Sequence, residues 1–453
     1  MQTGDDAATD AIPRGPVSTA ARIDVLDVLR GVAVCGILAV NIFVMGTVAG
    51  TQGRTFPAQW NADWVVWVLQ RLFLEGPMRG LFTMLFGAGM VLMLRAAEGP
   101  DGRAFPIDVW ARRCLALMAF GVVHFAVFMW PGEILWTYGL AGLALLAFRT
   151  ASVRTLWIWT LLILTCLSLH RAYDTSTYVA TYQHALAGEQ ALAEGRQPDA
   201  EQQAGMEAAA AARAANHPDP ETIADEVRQR TEWRSLFGWS ASGWAFRHLG
   251  VYSWIGVVES LAFMLAGMAL YRSGILAGAT SSATLWRILL LCGLLGLGLR
   301  VFDMAWQART GFELDIHRMN PWLSILRSGW YQPARLLMTL AWVAAIVLLA
   351  RGGPRFWTPP FRALGRMSLT TYTLQSILTS LLFYALGYVG AFGAASLMIV
   401  TFAICCITAA FSMVWLRRAP MGPAEQLLRA IAYGRRTREP TPTRHMTASN
   451  PSL

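Results

Sequence analysis

Apolar runs, each close to the length of one membrane crossing, recur along most of this chain. A hydrocarbon core roughly 30 Å thick takes about 20 helical residues, and nothing inside it can hydrogen-bond a free backbone group. Many such runs in one chain leave a single fold class, an all-α polytopic transmembrane bundle. They lie at about Val25–Val48, Gly80–Leu94, Cys114–Trp130, Ile134–Phe148, Leu156–Leu169, Val251–Tyr271, Leu285–Val301, Leu336–Leu349, Leu369–Leu386 and Ala395–Trp415. Charged residues make up 14% of the 453, against about 25% in a soluble domain.

Arginine sets the expected orientation. The net charge of +9 comes from arginine alone, since the chain has no lysine, which also excludes a lysine nucleophile or Schiff base. One set of loops holds Arg95, Arg103, Arg112, Arg113, Arg149, Arg154, Arg272, Arg287, Arg351, Arg355, Arg362, Arg366, Arg417, Arg418 and the tail arginines. Positive loops stay cytoplasmic, so this excess reads as membrane topology and not as a nucleic-acid surface. All these loops share one side if Gln59–Glu75, rich in tryptophan but broken by Asn61, Asp63, Gln70 and Arg71, lies in the interface as an amphipathic helix. About ten spans with both ends cytoplasmic follow. The expected organisation is a tail over 1–21, a transmembrane half over 22–170, a polar insert over 171–248, a second transmembrane half over 249–434 and a basic tail over 435–453. Alanine, glutamate and glutamine make the insert helical, with breaks at Pro198, Pro218 and Pro220. Alternation places it in the periplasm.

Polar groups at membrane depth are functional candidates because they are costly there. Asp27, Arg30, Gly31 and Asn41 fall on one side of the first span, and Asp27 and Arg30 are three apart, close enough to pair. A snorkelling ion pair and a substrate contact both fit that pattern. Asn41 is too deep to snorkel; it bonds a neighbouring helix or lines a cavity. His124 lies deep in its run, with Arg113 on the same face; Glu133 follows Pro131 and Gly132, and Tyr138 comes one turn later. An imidazole accepts and returns a proton near neutral pH, so His124 is the foremost general base, with Glu133 to orient it or extend a proton path. The alternative is a core histidine bonded to a backbone carbonyl. The other six histidines lie at span ends or in loops, where solvated placement is the expectation. From Gly365 to Ser376, and on to Thr379, a polar stripe (Ser368, Thr371, Tyr372, Gln375, Thr379) recurs at helical spacing beside Arg366, as helix glue or as a substrate groove. The six cysteines sit in apolar runs without zinc spacing, so no metal is expected. A phosphate-cradling glycine loop with lysine, a GxSxG elbow and an HExxH pair are all missing.

These segments resemble a known family. Leu26-Asp27-Val28-Leu29-Arg30-Gly31 leading to Asn41, Leu85-Phe86-Gly87-Ala88-Gly89, Gly121 to His124, Gly132-Glu133-Ile134-Leu135, Leu265 to Leu270, Gly365 to Ser376, and Gly422-Pro423-Ala424-Glu425 before Tyr433-Gly434 are similar to the DUF418, or YeiB-like, bacterial membrane proteins. The resemblance implies kinship with membrane acyltransferases of the acyltransferase-3 and heparan-glucosaminide acetyltransferase-like groups. In acyltransferase-3 proteins a first-span arginine is followed, after ten residues, by an essential histidine. Arg30 matches, but Asn41 stands at the histidine position and cannot serve as a base. Either His124 takes that role or this branch has another chemistry. Where the family often has aspartate, this chain has Glu133.

The expectation is an acyltransferase of the bacterial inner membrane. It moves an acetyl-type group from acyl-CoA, a cosubstrate and not a resident cofactor, to a hydroxyl or amine on a small-molecule, glycan or lipid acceptor. His124 and Glu133 are the expected catalytic pair. Asp27, Arg30, Asn41, Arg113, Tyr138, Arg366, Ser368, Tyr372 and Gln375 are the expected binding residues. Its partners are the bilayer, a homo-oligomer being compatible with it, and no nucleic acid. The alternative is a proton-coupled small-molecule exporter, which uses similar intramembrane groups.

Overall fold

The computed structural model describes residues 19–48, 51, 61–97, 107–251, 253–309, 320–353 and 356–434. Most of both expected tails, 1–18 and 435–453, lies outside them, as do His317 and His445. The described elements are helical throughout. In order they are α1 (Thr19–Gly46), α2 (Ala62–Leu69), α3 (Pro77–Ala97), α4 (Ile107–Val127), α5 (Leu135–Ala144), α6 (Val153–Ala193), α7 (Ala200–Asn216), α8 (Pro220–Thr231) and α9 (Trp233–His248). The second half continues with α10 (Ser253–Arg272), α11 (Ser282–Arg309), α12 (Pro321–Gly329), α13 (Tyr331–Gly352), α14 (Thr358–Arg366), α15 (Ser368–Ser380), α16 (Ala394–Trp415) and α17 (Pro423–Tyr433). Single π turns extend α2 over Gln70–Leu74 and α15 over Leu381–Ala385.

Eight of the helical stretches are long and apolar enough to cross a membrane by length and composition, and Leu135–Phe148 is a shorter apolar one. The bundle is inverted relative to a soluble protein where it faces lipid: Leu291 and Leu294 of α11 and Ile399 and Phe402 of α16 are largely exposed. Water would penalise that surface, whereas lipid does not. Inside, small residues let helices close up. Gly87 of α3 lies on the Met264 backbone of α10, and Gly267 of α10 lies on the Met84 backbone of α3. A Cβ at either would meet backbone atoms, so the crossing requires glycine on both sides.

The region expected at the interface has a specific structure. Asn61 caps α2 by accepting from Trp64 N at 2.8 Å. After the π turn the chain reverses at Glu75–Gly76, where Gly76 has φ +89°, and enters α3. Asp63, one of the residues that interrupt this run, accepts from Ala395 N at 2.7 Å and so caps α16.

The polar insert is helical, broken near Pro198 and at Pro218–Pro220, but it starts without a joint because α6 runs unbroken for 41 residues. Asp199 and Gln202 form a capping box on α7. Arginines then tie the ends of the helices together. Arg230 of α8, 1% exposed, donates to Thr47 O (2.6 Å), Val44 O (3.2 Å) and Met45 O at the C-terminus of α1. Arg300 of α11 does the same for the π turn, through Leu72 O (2.7 Å), Glu75 O (2.9 Å) and Arg71 O. The last carbonyls of a helix lack intrahelical partners and carry its negative pole, so a guanidinium is the complementary group.

Candidate functional site

Two cavities approach one another inside the bundle and share a wall residue, Tyr138. The first, about 340 Å³, opens at the end that carries the arginine loops. Its polar wall brings together Arg30, Arg113, Tyr138, Arg366, Ser368 and Tyr372 from α1, α4, α5, α14 and α15, six of the residues singled out in the sequence. Glu425 also lines it, and most of the remaining wall is apolar, with Phe82, Phe86, Trp110 and Leu117.

Close packing of α1 on α14 places the first arginine. Gly365 sits on the Asp27 backbone, where a Cβ would collide. Asp27, buried, accepts from Arg30 Nη1 at 3.0 Å, and Arg30 stays half-buried at the cavity edge. Arg366 donates to Pro420 O at 2.9 Å. Arg113, on the second turn of α4, makes no hydrogen bond or ion pair among the described residues, and its Nε is fully buried. A guanidinium carries five donors; among the described residues none of them meets a protein acceptor. Glu425, the fourth charged residue of the wall, is occupied: it accepts from Leu369 N (2.7 Å), Thr370 N (3.2 Å) and Thr370 Oγ (2.6 Å), capping α15. The free charge of the cavity is therefore positive.

The polar stripe of α15 divides between glue and cavity. Thr371 Oγ donates to Leu364 O and Thr379 Oγ to Gln375 O, while Ser380 Oγ donates to Phe128 O at 2.5 Å. Tyr372 and Ser368 line the cavity; Gln375 is buried elsewhere, its Nε2 without a partner among the described residues. His124, 2% exposed, stands behind Tyr372: the rings are stacked at 4.8 Å with 8° between planes, and Nε2 lies 2.9 Å from Ser376 Oγ. It is not a backbone-bonded core histidine at that nitrogen, and it reaches the first cavity only through Tyr372. Asn41 is half-buried in α1, makes no side-chain hydrogen bond among the described residues, and lines neither cavity.

Glu133, 2% exposed, belongs to the second cavity, about 290 Å³, at the insert end. Its carboxylate accepts from Leu135 N (2.5 Å), Trp136 N (3.1 Å) and Trp244 Nε1 (3.1 Å), with His248 Nε2 at 3.3 Å. Two of these donors are backbone amides of the first turn of α5, and its side-chain partners Trp244 and His248 both come from α9. Burial raises Glu133 to about 6, against the lowering effect of its three hydrogen bonds. Burial, followed by the charge of Arg247, lowers His248 to about 4. At neutral pH the pair is thus carboxylate and neutral imidazole.

Beneath this cavity lies an ion cluster that the sequence did not announce. Glu259 of α10 pairs with both Arg79 and Arg335 and accepts from Gln332 Nε2 at 2.8 Å; Arg335 also donates to Gly76 O at 3.0 Å. Glu259 stands eight residues into an apolar run, which was the available signal; its partners Arg79 and Arg335 lie at the edges of other spans. Among the described residues no group of three His, Cys, Asp or Glu stands close enough together to hold a metal ion.

Comparison with known proteins gives a family match and relatives over most of the chain. The family model described as "Protein of unknown function (DUF418)" matches residues 270–435. The chain is 29% identical over 428 residues to "Uncharacterized protein YxaH" of Bacillus subtilis (strain 168), covering 92% of this chain and 96% of that protein. It is 27% identical over 446 residues to "Uncharacterized protein YeiB" of Escherichia coli (strain K12), covering 90% and 95%. No solved structure matches it. The chain, an integral membrane protein, matches the DUF418 family over residues 270–435 and is similar to YxaH and YeiB along most of its length.

Proposed function

We propose that this protein transfers an acetyl-type acyl group from cytosolic acyl-CoA to a hydroxyl or amine acceptor, within the bacterial inner membrane. The observation that carries the reading is the arginine-lined cavity, in which Arg113, without a partner among the described residues, is joined by Arg30 and Arg366 ahead of an apolar, aromatic interior. CoA has the complementary shape, phosphates at one end and a long weakly polar arm at the other. Guanidinium groups bind phosphate by charge-assisted, often bidentate hydrogen bonds. The excess of arginine in the loops at the cavity mouth supports a cytosolic opening, where acyl-CoA is found, and the thioester of a bound arm would approach Tyr138 and Tyr372. His124, stacked behind Tyr372 and held by Ser376, fixes that ring in the wall. Equilibrium binding of tritiated CoA to the purified protein in nanodiscs tests the reading; saturable, salt-sensitive binding is expected, and no binding overturns it.

The paired cavities also favour a second reading. A carrier that exports a small anion would use an arginine-lined inner cavity and an outer one separated by a thin gate such as Tyr138. It differs from the enzyme in one respect: the solute leaves chemically unchanged.

A further inference from the structure

The insert-end cavity holds chemistry that neither the arginine-lined cavity nor His124 accounts for. Its wall carries Glu133 and Thr137 from the α4–α5 corner, His248 and Arg247 from α9, and Arg79 from α3. His248 has a side chain 7% exposed, Nδ1 3.4 Å from Thr137 Oγ and Nε2 3.3 Å from Glu133 Oε1. The Nε2 contact is at ion-pair distance but off hydrogen-bond alignment, so Nε2 has no proper partner. A hydroxyl, an imidazole and a carboxylate in that order form the arrangement that activates a hydroxyl for attack. Catalytic contacts of this kind are often long before substrate binds.

The charges around it add a preference. Arg79 and Arg335 share the single carboxylate of Glu259, which leaves one positive charge in excess. Arg247 makes no ion pair among the described residues. Against these stands Glu133 alone, because the buried imidazole is neutral. Past Phe246 and Arg247 the cavity meets a wider space of about 750 Å³ beneath the insert, bounded by Arg230 and Trp239. A bulky ligand can therefore reach the dyad from the insert side.

We propose that this cavity is the acceptor site, taking a hydroxyl-bearing phosphate compound whose phosphate is held by Arg247 and Arg79 and whose hydroxyl is deprotonated by His248, with Glu133 orienting the ring. The catalytic part rests on the acyl-transfer reading; the binding part does not. In the step, the acceptor oxygen attacks the thioester carbonyl carbon, the C–O bond forms and the C–S bond breaks. The sulfur takes the bonding pair, the hydroxyl proton passes to His248 Nδ1 and is then returned to the sulfur, and CoA leaves as the thiol. Such a phosphate can be a free polyol phosphate or a lipid headgroup.

Radiolabelled sn-glycerol 3-phosphate serves as the probe, with the full chain in phosphatidylcholine nanodiscs. Saturable binding, weakened at least tenfold by Arg247→Met, supports the site; no binding, or binding indifferent to that change, overturns it. Nanodiscs containing phosphatidylglycerol separate the sources, since competition by the lipid assigns a headgroup and its absence assigns a free phosphate. His248→Gln should retain probe binding and lower transfer from acetyl-CoA by about 10²–10⁴-fold, with Glu133→Gln removing the acid limb of the rate profile. Wild-type transfer by His248→Gln overturns the assignment of the base. Probe binding without any transfer by the wild-type protein supports the site and sinks the acyl-transfer reading alone.

Discussion

Replacing Arg113 by methionine separates a ligand-binding arginine from a structural one. A buried polar group without a partner costs about 1–3 kcal/mol, and Arg113 Nε is such a group, with the like charge of Arg30 nearby. Methionine keeps much of the volume and removes the uncompensated charge, so the folded protein should hold its stability or gain up to that amount. Binding should move the other way. A hydrogen bond to a charged group is worth roughly 1.5–3 kcal/mol, which corresponds to a Kd for CoA about 10- to 150-fold weaker. Both quantities come from one preparation: thermal unfolding followed by tryptophan emission, and equilibrium binding of tritiated CoA at two salt concentrations. The salt dependence should also shrink, because one phosphate contact is gone. A lower unfolding midpoint with unchanged CoA affinity would refute the reasoning, since it would make Arg113 a structural residue.

Other outcomes follow from the same contacts. Arg230→Ala strips the terminal carbonyls of α1 of their donors and should cost roughly 3–5 kcal/mol, seen as a lower unfolding midpoint and faster proteolysis of the insert; an unchanged midpoint contradicts the cap. Glu259→Gln leaves Arg79 and Arg335 facing each other and should destabilise by a similar amount of about 3–5 kcal/mol, read in the same unfolding assay. His124→Ala frees Tyr372 and should raise the KM for acyl-CoA more than it lowers kcat; a loss of kcat alone, about 10²–10⁴-fold, would instead make His124 the base. Transfer should fall as pH drops through about 6, because Glu133 then takes a proton and no longer stabilises a charged His248, while His248 itself stays neutral down to about 4. A rate flat from pH 5 to pH 7.5, on the order of the neutral-pH rate throughout, contradicts that assignment.

The bundle was legible because lipid leaves so few alternatives: a run of apolar residues long enough to cross must be a helix. Much of the first cavity was legible for a related reason. Arg30, Arg113 and Arg366 lie just where spans meet the interface, and a polar residue there must face protein or water. Partnership was not legible. His124 and Glu133 are nine residues apart, which suggests a pair, yet α9 returns from the insert and supplies Trp244 and His248 to Glu133. That contact spans 111 residues or more of chain and leaves no local pattern. Arg230 and Glu425 were hidden in the same way, the first within a solvated-looking insert and the second in a short helix after the last span, each bonding to a helix end far away in the sequence.

A doubly labelled acetyl-CoA, with carbon-14 in the acetyl group and tritium in the CoA, addresses the central claim most directly. Proteoliposomes receive it on the face carrying the arginine loops, with sn-glycerol 3-phosphate and bacterial polar lipids available on the other. Acyl transfer predicts that the two isotopes part company, carbon-14 becoming covalently attached to an acceptor while tritium stays behind as free CoA. Both isotopes crossing together, or carbon-14 never leaving CoA, would contradict it.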